Sequence, residues 1–232
     1  CIRDSYVHSP MRYAWDLQAQ YLRQGGLERG LKGLYARWLL HRLRLWDVRT
    51  APGVDVFVAN SLYIARRIRK VYGREAQVVW PPVDTDRFAP GEGARDSYLA
   101  ASRFVPYKRV ELLVEAFALL PDLRLVVVGD GPERDRVLRA ASGLANVEVR
   151  PPVAQDVLVA MMQGARAMLF AAEEDFGITT VEAQACGTPV IAYGRGGACD
   201  IVVERQGEAT GVLFAEQTAS SVADAVRRFE AV

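Results

Sequence analysis

The sequence predicts an α/β protein with parallel sheets. From residue 97 onward, apolar runs of strand length alternate with helical patterns without a break. The loops between them are short, so successive strands can join only as parallel neighbours through right-handed crossovers on both faces. Before residue 85 the alternation is looser, and Pro81-Pro82 makes a stiff connector. Residues 1–84 therefore read as the tail of a first α/β domain, and residues 85–232 as a complete or nearly complete second one.

In chain order, residues 5–8 are a short extended piece ended by the turn Ser9-Pro10, and 13–22 form a helical pattern broken by Gly25-Gly26. Leu27, Leu31, Leu34, Trp38 and Leu45 then recur at helical spacing up to Trp46, with Arg29, Lys32, Arg37, Arg42 and Arg44 on the other faces. Such a helix either turns its apolar side to a core or lies on an anionic membrane. The core-facing arrangement is expected, and peripheral membrane contact through Leu27 to Trp46 is the alternative. The apolar run 54–59 is a strand, Asn60-Ser61 can cap a helix over 62–72, and 76–80 is another strand. Asp84-Thr85-Asp86 spaces two carboxylates as a divalent-cation pair would, but behind two prolines it reads as an ordinary turn. The later strands are expected at 97–102, 124–128, 147–150, 167–170, 189–193 and 211–214. Helices are expected at 110–120, 132–141, 155–163, 179–186, 200–204 and 218–230.

Half the residues are hydrophobic, no apolar run is of membrane-spanning length, and the first residues do not read as a signal peptide, so none is expected. Cys1, Cys186 and Cys199 are too scattered for a disulfide framework or zinc site, so a reducing, cytoplasmic setting is expected, with the inner membrane face as a peripheral location. Cys186, among alanines, reads as core. Residues 1–84 hold 14 basic and 7 acidic side chains, and residues 85–232 hold 15 and 21. The acidic second half offers no basic stripe for nucleic acid. No G-x-G-x-x-G opens its first helix, which argues against nicotinamide binding.

In a parallel sheet the ligand lies where strands end. After the first of the six strands come Arg103 and Lys108, and after the second the Gly129-Asp130-Gly131-Pro132 turn. Pro151-Pro152-Val153 follow the third, Glu173-Glu174-Asp175-Phe176-Gly177-Ile178-Thr179 the fourth, and Gly194-Arg195-Gly196-Gly197 the fifth. Arg103 offers a planar fork and Lys108 a point charge for a diphosphate. The N–H groups of Gly177, Ile178 and Thr179, at a helix start, suit the same anion. Glu174 can accept hydrogen bonds from sugar hydroxyls, and Glu182, eight positions on, two from a ribose diol.

These residues resemble retaining glycosyltransferase family 4, of GT-B architecture, and its mannosyltransferase-like branch in particular. The resemblance also runs through His8-Ser9-Pro10-Met11-Arg12-Tyr13-Ala14-Trp15-Asp16, Asn60-Ser61, Pro81-Pro82-Val83-Asp84 with Phe88, and Ser102-Arg103-Phe104-Val105-Pro106-Tyr107-Lys108-Arg109. It implies two Rossmann-like domains, the first partial here. It implies a metal-independent, cofactor-free transfer of a hexose, mannose favoured, from a nucleoside diphosphate sugar (GDP-mannose favoured) to a saccharide or lipid-linked saccharide acceptor. In that scheme His8, Arg103, Lys108 and Glu174 act at the reacting centre. Gly129, Gly131, Val153, Phe176, Gly177, Ile178, Thr179 and Glu182 bind the donor. A sugar-nucleotide 2-epimerase and a non-catalytic nucleotide-binding module are the alternatives. The family's glycine-rich first loop has no counterpart here, so the chain is expected to be a fragment that binds nucleotide and turns over weakly or not at all.

Overall fold

The computed structural model describes residues 2–205 and 207–231; Cys1 and Val232 lie outside them. The chain forms two compact units, Cys1–Pro81 and Pro82–Val232. The division falls slightly before the expected 84/85 because Val83 and Phe88 pack into the second unit's core.

The first unit holds a three-stranded parallel sheet of β1 (Asp4–Val7), β2 (Val56–Ala59) and β3 (Ala76–Val78), in that order. Its helices are α1 (Gln18–Gln24), α2 (Gly30–Thr50) and α3 (Leu62–Tyr72). Ser61 caps α3, its hydroxyl accepting the N–H of Ile64 at 3.1 Å, and Gly73 ends it in the left-handed conformation. Ile64 and Ile68 then bury against Phe57 and Ala59.

Two expectations for this unit need correction. The helix read over 13–22 begins only at Gln18. The residues before it are held by side chains instead: Trp15 Nε1 donates to Asp47 at 2.9 Å, and Asp16 pairs with the buried Arg67 at 2.5 Å. More consequential is α2. Leu31, Leu34, Trp38 and Leu45 do share a face, but that face points away from the core and is 44–86 % exposed. The side turned inward carries Asp47, which accepts from both Trp15 and the Tyr72 hydroxyl, and Gly33, whose missing β-carbon lets the helix lie against the Leu27 carbonyl. A polar anchor, not the apolar stripe, seats this helix.

The second unit is a six-stranded parallel sheet. Its strands are β4 (Ser97–Ala101), β5 (Arg124–Val128), β6 (Val147–Arg150), β7 (Ala165–Phe170), β8 (Val190–Tyr193) and β9 (Gly211–Phe214). They lie in the order β6-β5-β4-β7-β8-β9, the doubly wound arrangement with its centre between β4 and β7. The connecting helices are α4 (Val110–Phe117), α5 (Arg134–Ala141), α6 (Gln155–Gln163), α7 (Ile178–Ala185), α8 (Ala198–Ile201) and α9 (Ala219–Glu230). Strand residues alternate between two cores, as the two-residue period requires. Tyr98, Ala100, Leu125, Val127 and Leu169 pack with α4, α5 and α9. Leu99, Val126, Val128, Met168 and Phe170 pack with α6, α7 and α8.

Helix ends differ from expectation by a few residues, for local reasons. Thr218 stands outside α9 as its cap, its hydroxyl accepting from Ser221 N–H. The segment after Phe117 leaves α4 because Asn146 captures its carbonyls. Asn146 Nδ2 lies 3.0, 2.9 and 2.9 Å from the oxygens of Phe117, Leu120 and Leu123, so two protons serve three acceptors. At the opposite sheet edge from the strand ends, Glu230 of α9 accepts from the Tyr98 hydroxyl and pairs with Arg166. Replacing Asn146 by Ala should cost about 2 kcal/mol in urea unfolding, since the carbonyls lose their donor. Asn146→Asp should cost more, because a carboxylate would face three carbonyl oxygens.

Candidate functional site

Strands β4 and β7 are neighbours, yet their chains leave to opposite faces, β4 to α4 and β7 to α7. The divergence opens a crevice at their carboxyl ends. Lys108, on the loop after β4, and Glu174, on the loop after β7, close this crevice by an ion pair of the Lys108 Nζ with Glu174 Oε1. Both side chains are largely buried, at 15 % and 19 % exposure, so the pair is poorly screened. The ammonium also lies 5.2 Å from the centre of the Phe170 ring, over its negative face.

Each loop is held by backbone packed directly on backbone. Gly129 and Gly131 approach the carbonyls of Ser102 and Phe104 so closely that a β-carbon on either would collide with them. Phe104 N–H donates to Asp130 O at 2.8 Å, and Glu133 N–H returns a bond to Phe104 O at 3.0 Å. On the other side Gly196 and Gly197 pack against the backbone of Glu174 and Phe176, and Gly197 N–H donates to Glu174 O at 2.8 Å. The turn 194–197 thus clamps the Glu174 loop.

Beside the crevice lies a cavity of about 380 Å³. It gathers Ser102 and Arg103 from the β4 loop, Gly129 and Asp130 from the β5 turn, and Pro152 and Val153 from after β6. Leu158 of α6 and Thr179 and Glu182 of α7 complete it. Gly177, at φ 90°, turns the chain into α7, whose first N–H groups have no acceptor within the helix. Thr180 is turned inward and bonds back to Gly177 O at 2.6 Å. The cavity thus combines a helix start, a guanidinium, the Glu182 carboxylate and an apolar wall of proline, valine and leucine, a lining able to take a ligand with both anionic and apolar parts.

Of the residues singled out from the sequence, Arg103, Gly129, Val153, Thr179 and Glu182 line this cavity, and Lys108 and Glu174 stand in the adjoining crevice. Gly131 is used to seat the Phe104 loop. Phe176 is buried at the loop base, whereas Ile178 is exposed. His8 belongs to the first unit, where its ring stands edge-on to Tyr6 at 5.2 Å. It lines a groove of about 560 Å³ along β1. That groove is larger than the cavity beside the crevice, and it is also lined by Arg3, Asp47 and the short helical turn Ala51–Gly53. Ser102, Asp130 and Pro152 also line the cavity, inside segments already marked in the sequence. Sequence reasoning missed Leu158 and, behind the loops, the Glu111–Arg136 contact.

Glu182 has a carboxyl pK raised above its ordinary value by burial. The Cys186 thiol is likewise pushed up by burial and then by the Glu182 charge, consistent with a packing residue. Residues 83–231 match the family described as glycosyl transferases group 1. The D-inositol 3-phosphate glycosyltransferase of Acidothermus cellulolyticus is 33% identical over 213 residues, covering 78% of this chain and 47% of its own length. The enzyme of the same description from Mycobacterium tuberculosis (strain ATCC 25177 / H37Ra) is 33% identical over 196 residues, covering 74% of this chain and 40% of its own. The chain thus spans less than half the length of these relatives. Among solved structures, Anabaena HepE in complex with UDP and glucose superposes with a TM-score of 0.67 at 18% identity, over 96% of this chain and 73% of that one. The catalytic domain of Arabidopsis thaliana starch synthase IV, bound to ADP and acarbose, gives 0.64 at 16%, over 77% and 48%. The fold is therefore the GT-B glycosyltransferase fold.

The raised pK has a stability consequence. The folded protein holds a proton on Glu182 more tightly than the unfolded chain does, so ionising it weakens the fold as pH rises. Glu182→Gln should therefore raise the thermal midpoint at neutral pH. The advantage should vanish in acid, where both side chains are neutral; a midpoint gain independent of pH would contradict the assignment.

Proposed function

The chain belongs to the glycosyl transferases group 1 family, and from that premise we propose that it is the donor-binding part of a metal-independent, retaining hexosyltransferase. The donor is a nucleoside diphosphate hexose, GDP-mannose favoured, and the acceptor a saccharide or lipid-linked saccharide. The second unit takes the donor, and the first, with His8, is the acceptor side. The observation that carries this reading is the Lys108–Glu174 pair beside the cavity of Arg103 and Glu182. Without donor, each partner neutralises the other. When a diphosphate enters, Lys108 shifts its charge onto phosphate oxygens, and the released Glu174 accepts from hexose hydroxyls. Glu182 takes the ribose diol.

Cleavage of the anomeric C–O bond builds negative charge on the β-phosphate. Arg103, Lys108 and the N–H groups at the start of α7 gain interaction energy at that moment, which lowers the barrier. The preference for mannose is supported by the resemblance of the segment from His8 to Asp16. The curated relatives, described as acting with D-inositol 3-phosphate, favour a second acceptor reading, a phosphorylated polyol. Transfer to an added acceptor would exclude a 2-epimerase and a purely binding module.

Titration against GDP-mannose, UDP-glucose, UDP-N-acetylglucosamine and ADP-glucose tests the donor. GDP-mannose should bind tightest, and Glu182→Ala should weaken it by about tenfold or more, a loss of ~1.4 kcal/mol. Unchanged affinity in that variant would remove the ribose role.

We also propose that α2 is the peripheral membrane contact, at the cytoplasmic face. Among the described residues no helix is long and apolar enough to cross a membrane. The exposed face of α2 instead sets Trp38, Trp46 and Tyr35 beside Arg42, whose guanidinium lies 5.9 Å from the Trp38 ring. The chain should co-sediment with phosphatidylglycerol vesicles but not with neutral phosphatidylcholine ones, and Trp38→Ser with Trp46→Ser should abolish it. No sedimentation with anionic vesicles would rule this contact out.

A further inference from the structure

Lys108 can serve the crevice only if the chain presents it from the right direction, and the residue that sets this direction is Arg109. Its backbone is left-handed, at φ 52° and ψ 38°, one of two such non-glycine residues among the described ones. A β-carbon disfavours that conformation, so something must hold it. No side chain caps α4 at this point.

Facing the Arg109 guanidinium is Glu111, in the first turn of α4, with a side chain only 4 % exposed; the contact is ionic, since Arg109 Nε makes no hydrogen bond among the described residues. Its Oε1 lies 3.5 Å from Arg109 Nε and 3.5 Å from Arg136 Nη2 of α5. Arg136 in turn reaches Glu133 Oε2 at 3.4 Å, and Glu133 N–H bonds Phe104 O. One buried carboxylate thus ties the β4 loop, which carries Arg103 and Lys108, to the β5 turn, which lines the cavity. Burying a charge between two long ion pairs gains little stability, which points to a positional role. It also takes up the charges of Arg109 and Arg136.

We propose that Glu111 is a positioning residue for the donor diphosphate, acting by fixing Arg109 in its left-handed conformation and so aiming Lys108. This rests on the donor-site reading above. A displaced Lys108 affects only a ligand that reaches the outer phosphate, so diphosphate and monophosphate binding should separate.

The test is calorimetric titration with GDP and GMP, alongside thermal midpoints. Glu111→Gln should weaken GDP binding ~10-fold and change GMP binding less than ~2-fold. A second pair isolates the backbone and leaves Glu111 in place. Arg109→Gly and Arg109→Val both lose the guanidinium, but only glycine adopts the left-handed conformation freely. Arg109→Gly should keep GDP affinity within about twofold, and Arg109→Val should lose about tenfold. Equal GDP affinity in these two variants, or an equal loss of GDP and GMP binding in Glu111→Gln, would overturn the inference. Failure of the unaltered protein to bind either nucleotide would instead overturn the donor-site reading on which it rests.

Discussion

The ion pair between Lys108 and Glu174 is the constraint on which the second unit is arranged. Two charges with little solvent around them are tolerable only when each finds the other, and a lost partner leaves an uncompensated charge. The pair forms only because β4 and β7 lie side by side while their connections diverge. The arrangement also orients both groups before any ligand arrives. A preorganised site of this kind needs little rearrangement when charge develops in a reaction.

Glycines make that preorganisation rigid. Gly129 and Gly131 bring the β5 turn against the β4 loop, and Gly196 and Gly197 bring the β8 turn against the Glu174 loop. In each case a missing side chain lets main-chain hydrogen bonds join two loops that would otherwise be independent. The loops at this edge behave as extensions of the sheet, and Glu111 adds a charged cross-link to the same scheme.

Much of this was legible in the sequence, and the reasons are specific. Apolar runs such as Leu125 to Val128 and Met168 to Phe170 are buried on both sides and announce parallel strands without ambiguity. Gly177 was recognisable as a turn because a glycine between an apolar run and a helical pattern suits the positive φ of 90° found there. The α2 helix was misjudged because periodicity tells which residues share a face and says nothing of where the face turns; the deciding contacts, Asp47 with Trp15 and Tyr72, join distant parts of the chain. Glu111 was invisible for a similar reason. An acid in a first helical turn resembles any helix-start carboxylate, and its partners Arg109 and Arg136 lie on two different loops' elements.

The strand order carries a consequence for how the protein is made. The central strand β4 pairs with β5 on one side and β7 on the other, and β7 ends at Phe170. A chain emerging from the ribosome can zip β4 to β5 early, but the other flank of β4 stays bare until about seventy more residues have been added. At roughly 5–20 residues per second that wait is on the order of 4–15 seconds. During it an apolar strand edge, the future wall of the crevice, is open to wrong partners. The β4–β7 seam therefore closes well after the β4–β5 half of the sheet, and β8 and β9 can add only once it has.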